Sequence, residues 1–261
     1  MRTSPVGQGV AVDIPRGTDL RGAVVVEADL RGARLVGCVV DGLRVDSFAG
    51  DLGSVVVDDV EVGGFVRDTL DARHPERRQL RAVRTADDHR AMWTTVERLW
   101  TGTLASAEAL PDAVCTARVD GEWSLTDTVR HLVFAVDVWL GRVLADEPRP
   151  VHPLGLPTGD TSPRTVRDLG LDPAATPSWA EVVAVHAGRL ADVRAALAEL
   201  TDDRLDDVRT VAPIPEWGTE SHTVQACFRV LAAEHVEHRR YAVRDLARLS
   251  GPGGAPAATP D

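Results

Sequence analysis

Lysine is absent from this chain of 261 residues, so all 29 of its basic residues are arginines. We attribute this bias to a GC-rich gene and not to mechanism. The 40 acidic residues outnumber the arginines and give a formal net charge of −11 at pH 7. Nucleic acids and anionic membranes bind clustered positive charge, so neither is expected to be a main partner.

Cysteine is scarce as well, since Cys38, Cys115 and Cys227 lie far apart and form no CxxC pair. This spacing argues against structural disulfides and against a cysteine-rich zinc site, and it favours a reducing compartment. No segment approaches the roughly 20 apolar residues of a membrane-spanning helix, and the N-terminal stretch lacks the pattern of a signal peptide. We therefore expect a soluble, cytoplasmic protein.

Residues 18–62 repeat with a period of five, which neither a helix nor a strand produces. The third place of a unit is usually leucine or valine, and the first place is small in the early units TDLRG, ADLRG and ARLVG. This pattern resembles the pentapeptide-repeat family, whose chains coil into a right-handed, square β-helix. About two coils would form, and these need neighbours to bury their faces. Irregular strands with chance spacing are the alternative, and either way the expected role is structural.

From about residue 86 the sequence has helical periodicity. Four segments carry the apolar stripe of an amphipathic helix, and the last of them spans about 222–249. Two of the segments begin with a capping box: Ser124 with Asp127, and Ser178 with Glu181. The proline-rich connection at 147–177 is too long for a tight turn, so we expect a crossover that lets the second and third helices run parallel.

These patterns predict a multi-domain protein with both α and β structure. We expect four parts in chain order: a short β-helix segment at 1–64, a linker at 65–85, a four-helix bundle at 86–250 and a disordered tail at 251–261. The tail is assigned as disordered because it contains no large apolar side chain that could form a packed core.

The stretch EHVEH in the last helix packs four ionisable residues into five positions. Glu234 and His238 share a stripe with Leu231 and should therefore face the core. His235 should lie at the edge of that stripe, and Glu237 should lie further round, towards solvent. A buried carboxylate or imidazole costs several kcal/mol unless something pairs it. His235 and His238 are three residues apart and could also converge, so a competing site remains open.

His131 lies in the apolar stretch TVRHLVFAVDVW of the second helix. A lone histidine there is more often a hydrogen-bonded core residue than a ligand, but an inward-facing Glu and His on another helix change that balance. Together, His131, Glu234 and His238 form a set that Zn²⁺, Ni²⁺ or Fe²⁺ accepts with one coordination position left open. An open position is typical of a catalytic metal site.

The segments DGEWSLTDTVRHLVFAVDVW and EHVEHRRYAVRDL resemble the DinB-like superfamily of metal-binding four-helix bundles, over about residues 86–249. The resemblance is strongest for the branch that includes mycothiol-dependent maleylpyruvate isomerase. It implies that His131, Glu234 and His238 bind a divalent metal, which we expect to be Zn²⁺, with Ni²⁺ or Fe²⁺ as alternatives. It also implies that the metal activates a small-molecule thiol, such as mycothiol, for attack on an electrophile. Water in place of the thiol would make the site hydrolytic.

Three further residues are weaker candidates for substrate binding. Trp217 and His222 precede the last helix and could line the mouth of the site, although simple packing is the alternative. Arg239 could hold a substrate carboxylate through its guanidinium, against the alternative of a solvated arginine. Trp123 is expected to be a core anchor below His131. The alternative function is a non-catalytic interaction module, in which the metal site is structural or vestigial.

Overall fold

The computed structural model describes most of the chain: residues 14–25, 28–47, 52–159 and 161–250. The chain divides into two compact units, Met1–Asp68 and Thr69–Asp261. The predicted disordered tail at 251–261 lies outside the described residues. None of the helices in these described stretches is both long enough and apolar enough to cross a lipid bilayer.

Backbone turns recur in the first unit at the spacing of the five-residue repeat. The N–H groups of Ala23 and Ala33 donate to the carbonyls of Leu20 and Leu30, at 3.0 and 2.9 Å. Glycine suits these turns because a positive φ would strain a residue that carries a Cβ. Five glycines in this region have a positive φ: Gly17, Gly22, Gly32, Gly37 and Gly42. The backbone therefore follows the period that the sequence predicts.

The predicted right-handed β-helix is not seen in the described part of this unit. The paired strands found there are short: β1 (Val56–Val57) and β2 (Val60–Glu61) form one antiparallel pair. Side chains in the third place of the repeat were expected to face inwards, but Leu20 is 51% exposed and Leu30 is 60% exposed. Such positions are buried only where neighbouring coils stack on them, and the described residues show no such stacking.

The segment 65–85, predicted as a linker, contains helical structure. Helix α1 (Gly63–Arg73) runs into it, and α2 (Glu76–Ala82) follows. Leu80 of α2 packs against the core, and buried ion pairs also hold the helix: Asp71 with Arg77, and Arg77 with Glu237 in the last helix. Contacts of this kind leave no periodic signal, so the sequence pattern did not reveal these helices.

The second unit contains the four long helices that the sequence predicts, joined by shorter elements. After α2, its α-helices are α3 (Ala86–Glu108), α4 (Asp112–Thr116), α5 (Leu125–Val136), α6 (Pro163–Asp168), α7 (Trp179–Ala198) and α8 (Val224–Leu249). A π-helix (Asp137–Leu144) continues α5. An antiparallel hairpin of β3 (Val208–Val211) and β4 (Glu220–Thr223) leads into α8. The predicted capping boxes at Ser124 and Ser178 are both formed.

Side-chain contacts show that α5 and α7 run in the same direction. Arg130 in α5 donates to the carbonyl of Ala175, just before α7 begins. Asp137, further along the same helix, accepts from Arg189, which lies within α7. The two helices therefore run in the same direction, and the predicted crossover between parallel helices is confirmed.

Helices α5 and α8 run in opposite directions. Glu122, just before α5, pairs with Arg244 near the end of α8, whereas His131 lies beside Glu234, nearer the start of α8. This antiparallel contact brings the middle of α5 against the middle of α8.

Three buried histidines lie in the core between the long helices. The ring centroid of His186 lies 5.4 Å from that of Trp100 and 5.6 Å from that of His235. Neither ring nitrogen of His186 has a hydrogen-bond partner among the described residues. Burial lowers the pKa of His89 to about 4 and the pKa of His186 well below its ordinary value. Both histidines are therefore neutral at pH 7.

We predict that His186→Phe leaves the free energy of unfolding at pH 7 unchanged or raises it. The substitution keeps an aromatic ring in the core and removes two buried nitrogens, each of which costs about 1–3 kcal/mol without a partner. It should also reduce the loss of stability in acid. Below about pH 6.5 the unfolded chain binds a proton at His186 and the folded chain does not. This difference lowers the free energy of unfolding of the wild type by about 1.4 kcal/mol per pH unit.

Urea titrations of the wild type and the variant between about pH 7.5 and pH 5 measure both effects. A variant with the same dependence on pH as the wild type would show that His186 is protonated in the folded state. A variant that is several kcal/mol less stable at pH 7 would show that the imidazole nitrogens have favourable contacts.

Candidate metal centre

Helices α5 and α8 bring the three predicted ligands together. His131 projects from α5, and Glu234 and His238 project from adjacent turns of α8. Nε2 of His131 lies 3.5 Å from Oε2 of Glu234, and Nε2 of His238 lies 3.1 Å from the same oxygen. One ligand atom of each residue lies within 4.8 Å of the other two. A single point between the helices is thus within reach of all three side chains.

The separations of these atoms fit one divalent ion. With metal–ligand bonds of about 2.1 Å, two ligand atoms lie about 3.4 Å apart in a tetrahedral site and about 3.0 Å apart in an octahedral one. The distances of 3.1 and 3.5 Å from Glu234 Oε2 fall in this range. Two imidazoles and one carboxylate suit Zn²⁺, Ni²⁺ or Fe²⁺. No fourth His, Cys, Asp or Glu joins the group among the described residues.

The orientation of His131 is set by the connection between α5 and α7. Its Nδ1 lies 3.0 Å from the carbonyl oxygen of Leu156. A carbonyl can only accept a hydrogen bond, so Nδ1 is the nitrogen that donates. Histidines that bind metals usually hold their second nitrogen in this way. Nε2 of His131 is therefore the nitrogen directed at the candidate centre.

The carboxylate of Glu234 lies between the two imidazoles. Burial favours its protonated form, but the contacts with His131 and His238 outweigh burial and hold the pKa of Glu234 well below its ordinary value. Glu234 is therefore ionised at neutral pH. A negative charge that touches two imidazole nitrogens provides a suitable environment for a cation.

Trp123 contacts two of the three side chains, although the sequence predicts it only as a core anchor. Its ring centroid lies 4.7 Å from that of His131, and it stacks on His238 at 5.8 Å with an interplanar angle of 22°. Trp123 directly precedes Ser124, the N-cap of α5, so it lies about two turns before His131. The spacing of about two helical turns between Trp123 and His131 is the sequence signal that could have predicted that Trp123 contacts the candidate ligands.

His235 faces away from the centre and belongs to the core. It is fully buried, whereas we expected it at the edge of the stripe. Its Nδ1 lies 2.7 Å from the carbonyl of Leu231, and its ring meets Trp93 edge-on at 4.9 Å. The structure therefore does not form the competing site at His235 and His238.

Glu237 was expected in solvent but is mostly covered. It pairs with Arg77 from α2 and with Arg240 one turn later in α8. Helix α2 packs on this face of α8, and the helical period of α8 alone cannot show that.

Trp217 and His222 make contacts outside the group of three candidate ligands. Trp217 packs on a small apolar cluster that includes Phe134, whose ring centroid lies 6.3 Å from that of His131. His222 lies 2.9 Å from the carboxylate of Glu220, and its ring meets Trp139 edge-on. The cluster on which Trp217 packs thus includes a neighbour of His131, and His222 contacts the π-helix.

Arg239 is the weaker candidate that the structure places on another face of α8. Its guanidinium donates to Thr103 Oγ1 at 2.9 Å and to the carbonyl of Leu99 at 3.2 Å, both in α3. It also approaches Glu76 in α2. These contacts join α8 to α2 and α3, so Arg239 has a structural role and does not point at the candidate centre.

We predict that Glu234→Ala, His131→Ala and His238→Ala each weaken binding of a divalent metal by more than about 100-fold. Loss of a supporting residue costs about 10- to 100-fold, and loss of a ligand should cost more. His235→Ala should bind metal nearly as well as the wild type but should be less stable, because it leaves a cavity in the core.

Competition with a chromophoric chelator measures the affinities, and thermal unfolding measures the stability. Metal binding that is lost in His235→Ala and retained in Glu234→Ala would mean that the site uses the other face of α8.

Comparison with known proteins identifies the family of the chain. A model of the DinB superfamily matches residues 95–242, more than half of the chain. The matched range contains His131, Glu234 and His238. No curated protein and no solved structure matches the chain. On the strength of the family match, this chain belongs to the DinB superfamily.

Proposed function

We propose that the protein is a metal-dependent enzyme of the thiol-transferase type. The observation that supports this is the open-sided donor group, in which three side chains converge and no fourth protein ligand joins them among the described residues. Catalytic metals keep an open position, whereas structural zinc is usually closed by four protein ligands. We propose Zn²⁺ as the metal, with Ni²⁺ and Fe²⁺ as alternatives that the same donors accept.

A bound divalent metal lowers the pKa of a thiol or a water at its open position and so supplies a nucleophile at neutral pH. The residues of the chain hold and orient the centre. The Leu156 carbonyl aims Nε2 of His131, and Glu234 supplies the negative charge. The ring of Trp123 shields one side of the imidazoles from water and offers an apolar face to an electrophile.

The buried cysteines of the second unit are poor nucleophiles, which favours a thiol from solution. Burial raises the pKa of Cys227 to about 12, and burial also raises the pKa of Cys115. Both are therefore protonated at pH 7, and a thiol must ionise before it can attack. We propose a low-molecular-weight thiol such as mycothiol as the cosubstrate and a small electrophile as the acceptor. With water instead of the thiol, the same centre would be a hydrolase.

We predict that the metal-loaded protein accelerates the attack of a thiol on an electrophile. Metal-free protein is loaded with Zn²⁺, Ni²⁺ or Fe²⁺ and mixed with monochlorobimane and either mycothiol, bacillithiol or glutathione. Fluorescence reports the rate, and nitrophenyl esters without thiol report hydrolysis. His238→Ala should lose the activity because it removes a ligand, and His235→Ala serves as the matched control that keeps all three ligands. Full metal binding without any reaction above the level of His238→Ala would exclude both activities.

The second candidate function is a non-catalytic interaction module. Apolar side chains at the third place of the repeat are at least half exposed: Leu20, Leu30, Leu35, Val40 and Val45. Exposed apolar patches commonly mark interaction surfaces. On this alternative, the segment is a pentapeptide-repeat array whose apolar residues a binding partner covers. Two results together would favour this alternative. The full chain would self-associate and the triple variant L20E/L30E/V40E would not, and no metal would support a reaction.

A further inference from the structure

Arg130, the residue before His131, is 2% exposed and directs its guanidinium at the connection between α5 and α7. It donates from Nε to the carbonyl of Leu154 at 2.9 Å, from Nη2 to that of Asp172 at 2.8 Å and from Nη1 to that of Ala175 at 3.0 Å. One side chain thus binds two separate segments of the crossover with all three of its nitrogens.

The main chain of Arg130 continues this connection to the candidate centre. Its carbonyl accepts from the N–H of Leu156 at 3.1 Å, and the carbonyl of Leu156 in turn faces Nδ1 of His131. Leu156 is therefore held against α5 by its own N–H and by the guanidinium contact with Leu154, two residues earlier. Arg130 thus holds the crossover backbone at Leu156, and Leu156 in turn holds the imidazole of His131, the next residue of α5.

A second contact holds the beginning of the same segment. The carboxylate of Asp137 accepts from the N–H of His152 at 2.7 Å. Asp137 is buried and also pairs with Arg189 of α7. Residues 152–156 are thus attached to α5 and its continuation at both ends.

His131 has two competing hydrogen-bond acceptors. Its Nδ1 faces the Leu156 carbonyl at 3.0 Å, and its Nε2 faces Glu234 at 3.5 Å. A metal binds an imidazole through the lone pair of a nitrogen that carries no proton. A proton on Nε2 would satisfy Glu234 but would block the nitrogen that points at the centre. The Leu156 carbonyl favours the proton on Nδ1, which leaves the Nε2 lone pair free.

We propose that Arg130 is a positioning residue, which holds the crossover so that the Leu156 carbonyl keeps a proton on Nδ1 of His131. The consequence for metal binding rests on the proposed function, but the position of the proton is a property of the metal-free chain. Lysine cannot replace the guanidinium, because a single ammonium group cannot reach three carbonyls in two segments.

The test compares metal-free wild type with Arg130→Lys by NMR of ¹⁵N-labelled histidine. Nδ1 of His131 should be protonated in the wild type, and in the variant the proton should move at least partly to Nε2. Zn²⁺ affinity should fall about 10- to 100-fold, as for loss of other supporting contacts. Arg90→Lys is the matched control, since Arg90 also binds two carbonyls, those of Leu197 and Leu200, at 2.9 Å. It should change neither result.

The proposal is overturned if Nδ1 of wild-type His131 carries no proton. It is also overturned if folded Arg130→Lys keeps Nδ1 fully protonated, even with weaker metal binding, because Arg130 would then act on stability alone. If Arg130→Lys does not fold, Arg130→Gln, whose amide retains two donors, is judged by the same shift. A shift of the proton in Arg130→Lys, together with a wild type that binds no metal, would support the positioning role and contradict the proposed function.

Discussion

The antiparallel contact between α5 and α8 is the interaction on which the candidate centre depends. It sets His131 opposite Glu234 and His238, which lie on adjacent turns of one helix face. Buried imidazoles and carboxylates destabilise a fold when they lack partners. Here one carboxylate oxygen lies 3.5 Å from Nε2 of His131 and 3.1 Å from Nε2 of His238, so the three polar groups are one another's neighbours. The apolar core around it keeps the helices close and the ligand atoms converged.

The crossover contributes as much to the centre as the helices do. It allows α5 and α7 to run parallel, and its backbone supplies partners for the buried side chains of Arg130 and Asp137. It also delivers the Leu156 carbonyl to His131. Long connections in compact domains often have a functional role. In this chain the connection works through backbone groups, which explains why its sequence contains no recognisable site residue.

Patterns within single segments were sufficient to predict the long helices, two capping boxes and the shared face of Glu234 and His238, whereas the place of His131 beside them rested on the family resemblance. Contacts between distant segments were not predictable in this way. His235 and Glu237 are covered by α3 and α2, which the helical phase of α8 does not show. The places of Trp123 and Arg130 depend on the same long-range packing. For the repeat segment, the period led to the prediction of a β-helix that the described residues do not form, because a period does not determine whether coils stack.

The buried polar groups of the bundle orient the side chains of the candidate centre. Under the proposed function, this limits which residues can determine substrate specificity. The three candidate ligands and the Leu156 carbonyl determine which atoms face the centre, whereas the nearby cysteines are held as thiols by burial. Under the proposed function, discrimination between electrophiles would therefore come from the residues around the centre. Trp123 lies directly on the imidazoles, and Phe134 links His131 to the cluster that contains Trp217. These aromatic residues would select by shape and apolar contact, because large rings bury much surface but form few directional bonds.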